Sequence, residues 1–442
     1  MFSNKQLISL SIPVIIDALL FMAVGLVDSV MVASVGSEAV SAVSLADSIL
    51  SFFILIQNSL AAGGGVVAAQ YVGRGDYESA RRAAKQTLYI TVLFSAIVMA
   101  LLLIFTVPLL RLIYGELDPT VFDYCKTYFF WIVLGFPVAA VGTVCATMLR
   151  SQANTKFALY LAGAINILNA IGNAILIYGF DMGVAGAAIS TTFARVVYCV
   201  LGVLILRNRE APIYLSKIWK VRFEKDMFRR VMSIGVANGI EGGLSQLGSI
   251  LTAMLIASLG TATVAVISIT TKIGGLAWSL VSALQIVVMT VVGHCIGAGE
   301  IEQAKMYTKK FTLYANIATF SFFSLLIIFR NQIVLLYDLD ASLLSECAKQ
   351  LFYASAITIL TFYGRAFIPL SSFRAAGDTK YAVSASLIGM FIGRVVLSYV
   401  FVAWFKLGSL GIWMGMGIYH LICAVFSTAR LRSGKWLTKK VI

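Results

Sequence analysis

Charge is scarce in this chain. Only 12% of its 442 residues are charged while 60% are hydrophobic, whereas a soluble domain carries about twice that share of charge. A water-soluble fold is excluded, because no soluble core hides so much apolar surface. Histidine and cysteine are equally uninformative as metal ligands. His294 adjoins Cys295 and His420 stands three residues before Cys423, but neither pair has the further ligands of a metal site, and the six cysteines (125, 145, 199, 295, 347 and 423) lie in or beside apolar stretches without ligand spacing. Free structural thiols are expected. No Walker pattern follows the glycine pairs Gly73-Arg74-Gly75 and Gly297-Ala298-Gly299, and no nucleophile–base arrangement stands out, so neither an ATPase nor another enzyme is indicated. The short alternation of a membrane barrel is missing. A cleavable leader is not expected either, since Ile12 opens a hydrophobic stretch that runs to Val35 and carries Pro13 and Asp28.

What is present comes in long blocks, such as Leu88 to Leu110 and Leu313 to Phe329, each near the roughly 20 residues that cross a bilayer as a helix. Helices satisfy their own backbone in lipid, so the spans should be helical. Twelve are expected: 12–35, 45–69, 86–113, 121–149, 157–179 and 184–206, then 231–258, 262–292, 311–336, 348–371, 381–404 and 408–429. Most of the 34 lysines and arginines fall in the N-terminus, the alternate loops and the C-terminus, among them Arg74 to Lys85, Arg207 to Arg230 and Arg430 to Lys440. The net charge of +14 therefore reads as topology, with both termini cytoplasmic, and not as nucleic-acid binding.

One constant offset along the chain aligns Gly36 with Gly260, Gly73 with Gly297, Gly75 with Gly299, Asp76 with Glu300, Arg150 with Arg374, Thr155 with Thr379, and Lys156 with Lys380. The chain is duplicated, and an even number of spans per half gives the halves the same topology. The expected organisation is an N-terminal lobe (1–206), a basic cytoplasmic linker (207–230) with amphipathic pieces around Ile218 and Phe223, and a C-terminal lobe (231–442). The expected fold class is an all-α polytopic membrane protein of two pseudo-symmetric six-helix bundles.

Several motifs occur in order along this frame. They are Val27-Asp28-Ser29 with Val35-Gly36, Ala69 to Asp76 with Ala80, Gly239-Ile240-Glu241 with Gln246 and Gly248, Phe373 to Lys380, and Arg432 to Trp436. Together they resemble a bacterial branch of the multidrug and toxic compound extrusion (MATE) family, within the larger group of multidrug, lipid-oligosaccharide and polysaccharide exporters. The resemblance places Asp28 at the family's N-terminal-lobe acid, where a proton or sodium ion would bind. It also marks two departures. Asn169 fits the family's fifth-helix asparagine, but Asn173 stands where an acid is common, and Tyr419-His420 replaces an Asp-Trp pair.

An ionisable side chain in a span costs roughly 2.5 to 3.5 kcal/mol on insertion scales, so each is a candidate for handling ions or cargo. Asp28 is the first candidate, as a sodium or proton site, against a packing carboxylate. Asp47 is expected at similar depth and able to share that site. Asp17, three turns before Asp28, reads as a solvated residue at the cytoplasmic mouth. Glu241 is the second-half counterpart, either attracting an organic cation or held in an ion pair with Lys272 or Arg394. Arg394 has Ala170 as its first-half equivalent. Arg195 and Arg365 read as snorkelling or bound to backbone carbonyls. Gln57, Asn58, Asn166, Asn169, Asn173, Asn238 and Gln246 are candidates for a polar cavity or for interhelical hydrogen bonds.

The expected activity is that of a secondary antiporter, monomeric in the cytoplasmic (cell inner) membrane. It would export amphipathic, cationic organic compounds by rocker-type alternating access, exchange them for proton or sodium, and need no cofactor. The rival within the superfamily is a lipid or lipid-linked oligosaccharide flippase, favoured if the cavity proves cationic through Arg394, Lys272 and Arg365.

Overall fold

The computed structural model describes residues 1–216, 223–337, 340–438 and 442. Among these it holds helices and no strand. The first half runs α1 (Asn4–Ala33), α2 (Ser37–Arg74), α3 (Tyr77–Tyr114), α4 (Pro119–Leu134), α5 (Phe136–Ser151), α6 (Thr155–Asn173) and α7 (Gly183–Ile205), with a π-helical turn, Ala174–Gly179, extending α6. The second half runs α8 (Lys225–Ala257), α9 (Thr261–Gly297), α10 (Ile301–Val334), α11 (Ala341–Leu360), α12 (Tyr363–Ala375), α13 (Thr379–Ile388), a π-helical stretch Gly389–Leu397, α14 (Ser398–Ala403) and α15 (Gly408–Ser433). Among the described residues ten helices are long and apolar enough to cross a membrane, and counting each of the bent pairs α4–α5 and α11–α12 (50° and 55°) as one span gives twelve. The protein is thus an all-helical, multi-pass membrane protein with up to twelve spans, as the hydropathy blocks lead one to expect. Of the linker's two amphipathic pieces, Ile218 lies outside the described residues, and Phe223 sits before α8 begins, exposed and packed against Phe228.

The duplication is visible element by element, since the offset that carries Gly36 onto Gly260 also carries α2, α3 and α6 onto α9, α10 and α13 with its π-helical continuation. The repeated glycines have a backbone reason. Gly75 (φ 79°) and Gly299 (φ 78°) close α2 and α9 in the left-handed region, and Gly36 (φ 140°) and Gly260 (φ 97°) open them, conformations open to glycine at little cost. The two bends arise differently. Pro137, at the start of α5, removes a backbone donor after Gly135, while the α11–α12 break turns on Phe362 in a left-handed conformation (φ 49°).

Contacts divide the chain into two units, residues 2–239 with Ile442, and residues 240–441 with Met1; the boundary falls inside α8. Within the first unit α2 packs closely on α3, because a Cβ at Gly64 would lie 1.9 Å from Thr87 Oγ1. Small residues of this kind let helix backbones approach in lipid, where no hydrophobic effect pulls helices together. Large apolar side chains remain exposed along the helices, for example Leu101, Ile104, Ile317 and Phe320, as a lipid-facing surface requires.

Candidate functional site

In the first unit the candidate centre forms where α1 meets α6. Asp28 lies near the end of α1. Asn169 and Asn173 lie one turn apart on α6, immediately before its π-helical turn, a feature that often marks functional positions in helices. Asn173 Nδ2 donates to Asp28 Oδ1 at 2.8 Å. Asn169, with its amide nitrogen facing the acid, donates to Asp28 Oδ2 at 2.9 Å and Oδ1 at 3.1 Å, while its oxygen accepts from Thr191 Oγ1 of α7 at 3.0 Å. Ser190 Oγ donates to the Asn169 carbonyl at 2.8 Å. Both asparagines are buried, and Asn173 Oδ1 is left without a hydrogen-bond partner. Three sequence candidates are thus brought together, joined by Thr191 and Ser190, which sequence reasoning missed.

Asp47 occupies an adjoining position. It accepts from Tyr128 Oη at 3.2 Å and shares no ligand with Asp28. Arg195 donates to the Ile132 carbonyl at 3.0 Å and lies 6.0 Å from the Phe136 ring centroid, in keeping with the carbonyl-bound alternative. Gln57 is buried and accepts from Ser95 Oγ at 2.9 Å, apart from the amide cluster.

Two expectations are corrected. Asp17 is no solvated mouth residue: it pairs with Arg150 at 2.6 Å, with side chains 17% and 22% exposed. Glu241 pairs with neither Lys272 nor Arg394. Arg374 Nη2 donates to both of its carboxylate oxygens, at 2.6 and 2.7 Å, with side chains 13% and 16% exposed. The reason is geometric, because α5 and α12 end with an arginine in their last turn that reaches the acid of α1 or α8 in its own unit. A sequence signal existed: the offset that carries Arg150 onto Arg374 also carries Asp17 onto Glu241. Arg365, on α12, donates to Thr428 Oγ1 at 3.0 Å instead of a backbone carbonyl, and Lys272 is exposed on α9.

The second unit holds a cavity of about 260 Å³ lined by Arg394, from the π-helical stretch, with Tyr363, Tyr419, His420, Trp278 and Trp413 among its walls. His420 is 1% exposed, its Nδ1 lying 3.1 Å from Thr361 Oγ1. Among the described residues no group of three or more His, Cys, Asp or Glu is placed to hold a metal ion.

The MatE family model matches this sequence twice, over residues 13–175 and 240–400. The uncharacterized transporter YisQ of Bacillus subtilis is 26% identical over 443 residues, covering 98% of this chain and 95% of its own. Multidrug resistance protein PmpM of Pseudomonas aeruginosa is 26% identical over 448 residues, covering 97% and 91%. Among solved structures, an outward-facing multidrug resistance MATE family transporter of the MOP superfamily superposes with a TM-score of 0.89 at 19% identity, covering 98% of this chain and 96% of that one. A MOP superfamily transporter from Pyrococcus furiosus, described as having a binding pocket of reverse polarity, gives 0.90 at 19% identity, covering 99% and 97%.

Proposed function

The chain belongs to the MatE family, and from that premise we propose that it is a secondary exporter driven by a proton or sodium gradient, with Asp28 as the residue that takes up the coupling cation. The observation that carries this reading is the environment of Asp28. Its carboxylate is held by two neutral amides, and among the described residues it has no ion-pair partner. Amide donors stabilise an anion without neutralising it. A carboxylate in a span remains costly until a cation arrives, and the unpartnered Asn173 Oδ1 is a neutral oxygen beside it that suits such an ion. Binding of proton or sodium removes the net charge of the cluster. Release restores it. Differential stabilisation of two conformations by that change is what couples an ion to alternating access.

The cargo in this reading is an amphipathic organic compound, a class supported by the multidrug names of relatives such as PmpM. The expectation of a cationic cargo rested on Glu241, whose charge is compensated by Arg374, and we assign no cargo attraction to it. The flippase alternative is favoured by one of its three cations: Arg394 lines the second-unit cavity, while Lys272 and Arg365 are not among the residues around it. The distribution of lysine and arginine supports a cytoplasmic-membrane location with both termini inside, and two lobes in one chain suffice for a monomeric transporter.

Everted vesicles expressing the native chain or Asp28→Asn test the assignment. Export driven by an imposed proton or sodium gradient should fall at least about tenfold in the variant, by analogy with the loss of one pK unit of cation affinity. Equal gradient-driven export by both proteins would remove Asp28 from the mechanism.

A further inference from the structure

The second unit carries a site of opposite sign at positions that match Asp28 and the charged residues Asp47 and Arg195 of the first unit. The offset between the halves takes Asp28 to Thr252, Asp47 to Thr271, Arg195 to Tyr419 and Ala170 to Arg394, and all four of these second-half residues line the same cavity. Two acids and one base in the first half become no acid and one base in the second. Among the described residues around the cavity there is no aspartate or glutamate.

Arg394 also differs from the other arginines in or near the spans. Arg150 and Arg374 hold carboxylates, Arg195 a carbonyl, Arg365 a hydroxyl, and Arg430 holds Asp378 at 2.6 Å. Arg394 makes no hydrogen bond, ion pair or ring stack with the described residues. Arg394 is only partly exposed, a guanidinium without a counter-charge is unfavourable in a span, and its five fixed donors match a carboxylate, sulfonate or phosphate. The walls supply further polar atoms: Trp278 Nε1 and His420 Nε2 are buried without hydrogen-bond partners. Thr361 Oγ1 lies 2.8 Å from the Ile357 carbonyl and 3.1 Å from His420 Nδ1; with the hydroxyl donating to the carbonyl, Nδ1 carries the hydrogen and Nε2 is left as an acceptor. A donor pair with an acceptor, beside aromatic rings in a partly open cavity, suits a ligand with an anionic head and an apolar, aromatic-compatible body. At about 260 Å³, just below the usual range for drug-sized ligands, the cavity admits one or two rings.

We propose that this cavity is a binding site for amphipathic anions, with Arg394 contacting the anionic group. The inference goes beyond the coupling role of Asp28 and does not depend on it. The anionic head is common to a soluble arenecarboxylate and to a lipid headgroup, and the experiment separates them. Full-length protein in nanodiscs of phosphatidylcholine is titrated calorimetrically with 2-naphthoate and with 2-naphthylmethylammonium. The carboxylate should bind at least ten times more tightly than the ammonium compound. Arg394→Gln should lose at least tenfold of that affinity, and Arg394→Lys should recover part of it.

A measurement on the native chain guards against misfolding of the variants: 2-naphthoate should slow phenylglyoxal modification of Arg394, read by peptide mass spectrometry. In nanodiscs containing phosphatidylglycerol, undiminished naphthoate binding supports the site with a soluble anion as ligand. A severalfold loss supports it with the lipid headgroup as occupant. Absence of naphthoate binding in neutral nanodiscs, equal affinity for the ammonium compound, or an unaltered modification rate at saturating naphthoate would overturn the proposal. A transport defect in Asp28→Asn bears on coupling alone, so the two readings fail separately.

Discussion

The two halves of the chain preserve one ionic arrangement and diverge at another. The acid–arginine pair is kept: Asp17 with Arg150 in the first unit and Glu241 with Arg374 in the second, at the same sequence separation of 133 residues and with the same shortest distance of 2.6 Å. A few turns further along the same helices the equivalence ends. Asp28 sits among asparagines on α1, where α8 has Thr252, and Ala170 on α6 is replaced by Arg394 in the second half. Matching geometry with a retained pair indicates a shared structural need. Inverted charge on the same frame indicates that the halves have diverged, which is what the cation role proposed for Asp28 and the anion role proposed for Arg394 would require.

The largest expected effect tests the shared part. Glu241→Gln leaves Arg374 half a pair in a mostly buried setting, a change that costs about 3–5 kcal/mol, and Asp17→Asn should cost a similar amount through Arg150. Thermal unfolding in detergent should register both, with the Glu241→Met/Arg374→Met double variant recovering much of the loss. A stability penalty in one half and none in the other would show that the pairs no longer serve the same purpose.

Placing the second half's charge in the first half is the next test. Ala170→Arg sets a permanent cation on the helix that carries Asn169 and Asn173, one residue after the first and three before the second. A fixed opposite charge within about 4–6 Å weakens uptake of a mobile cation by about ten- to a thousandfold. Gradient-driven export in vesicles should collapse while the protein remains folded by circular dichroism. Unaltered coupling would mean that the charge difference between the halves has no functional weight.

Asn173→Asp adds a second carboxylate at the Asp28 cluster and should make transport respond to sodium at about tenfold lower concentration. A sodium response identical to that of the native chain would argue that Asn173 does not touch the ion.

The smallest contrast lies outside the spans. Asp76 caps α3, its carboxylate accepting from the Ser79 amide at 3.0 Å, whereas Glu300, its counterpart before α10, makes no side-chain cap bond. Hydrogen bonding to Ser79 holds the Asp76 carboxyl below its ordinary 3.8. A lowered carboxyl stabilises the fold above that ordinary value, and the contribution fades as pH falls through the folded value. Asp76→Ala should cost about 1 kcal/mol at neutral pH, less under strongly acidic conditions, and Glu300→Ala close to nothing. Melting temperatures across pH check both.

Much of this was open to a reader of the sequence. Long apolar blocks and sparse charge determined a helical membrane protein, because backbone in lipid has few other ways to satisfy itself, and the repeated glycines and loop charges determined that it is duplicated. Asp28 was identifiable from the cost of an ionisable group in a span, and Asn169 and Asn173 from the family's fifth-helix pattern and as candidates for a polar cavity. The offset between the halves also contained the equivalence of Asp17 and Glu241, a signal that is easily passed over when attention rests on glycines and loops.

Which charge meets which was decided by tertiary structure alone. Arg150 and Arg374 look like loop cations in one dimension. They become ion-pair partners because α5 and α12, each following a bend, bring their last turns to an acid far earlier in the chain. Arg394, equally charged, meets no acid among the described residues and instead lines a cavity with aromatic residues among its walls. Electrostatic energy depends on distance and on the surrounding dielectric, and both are set by how helices far apart in sequence pack.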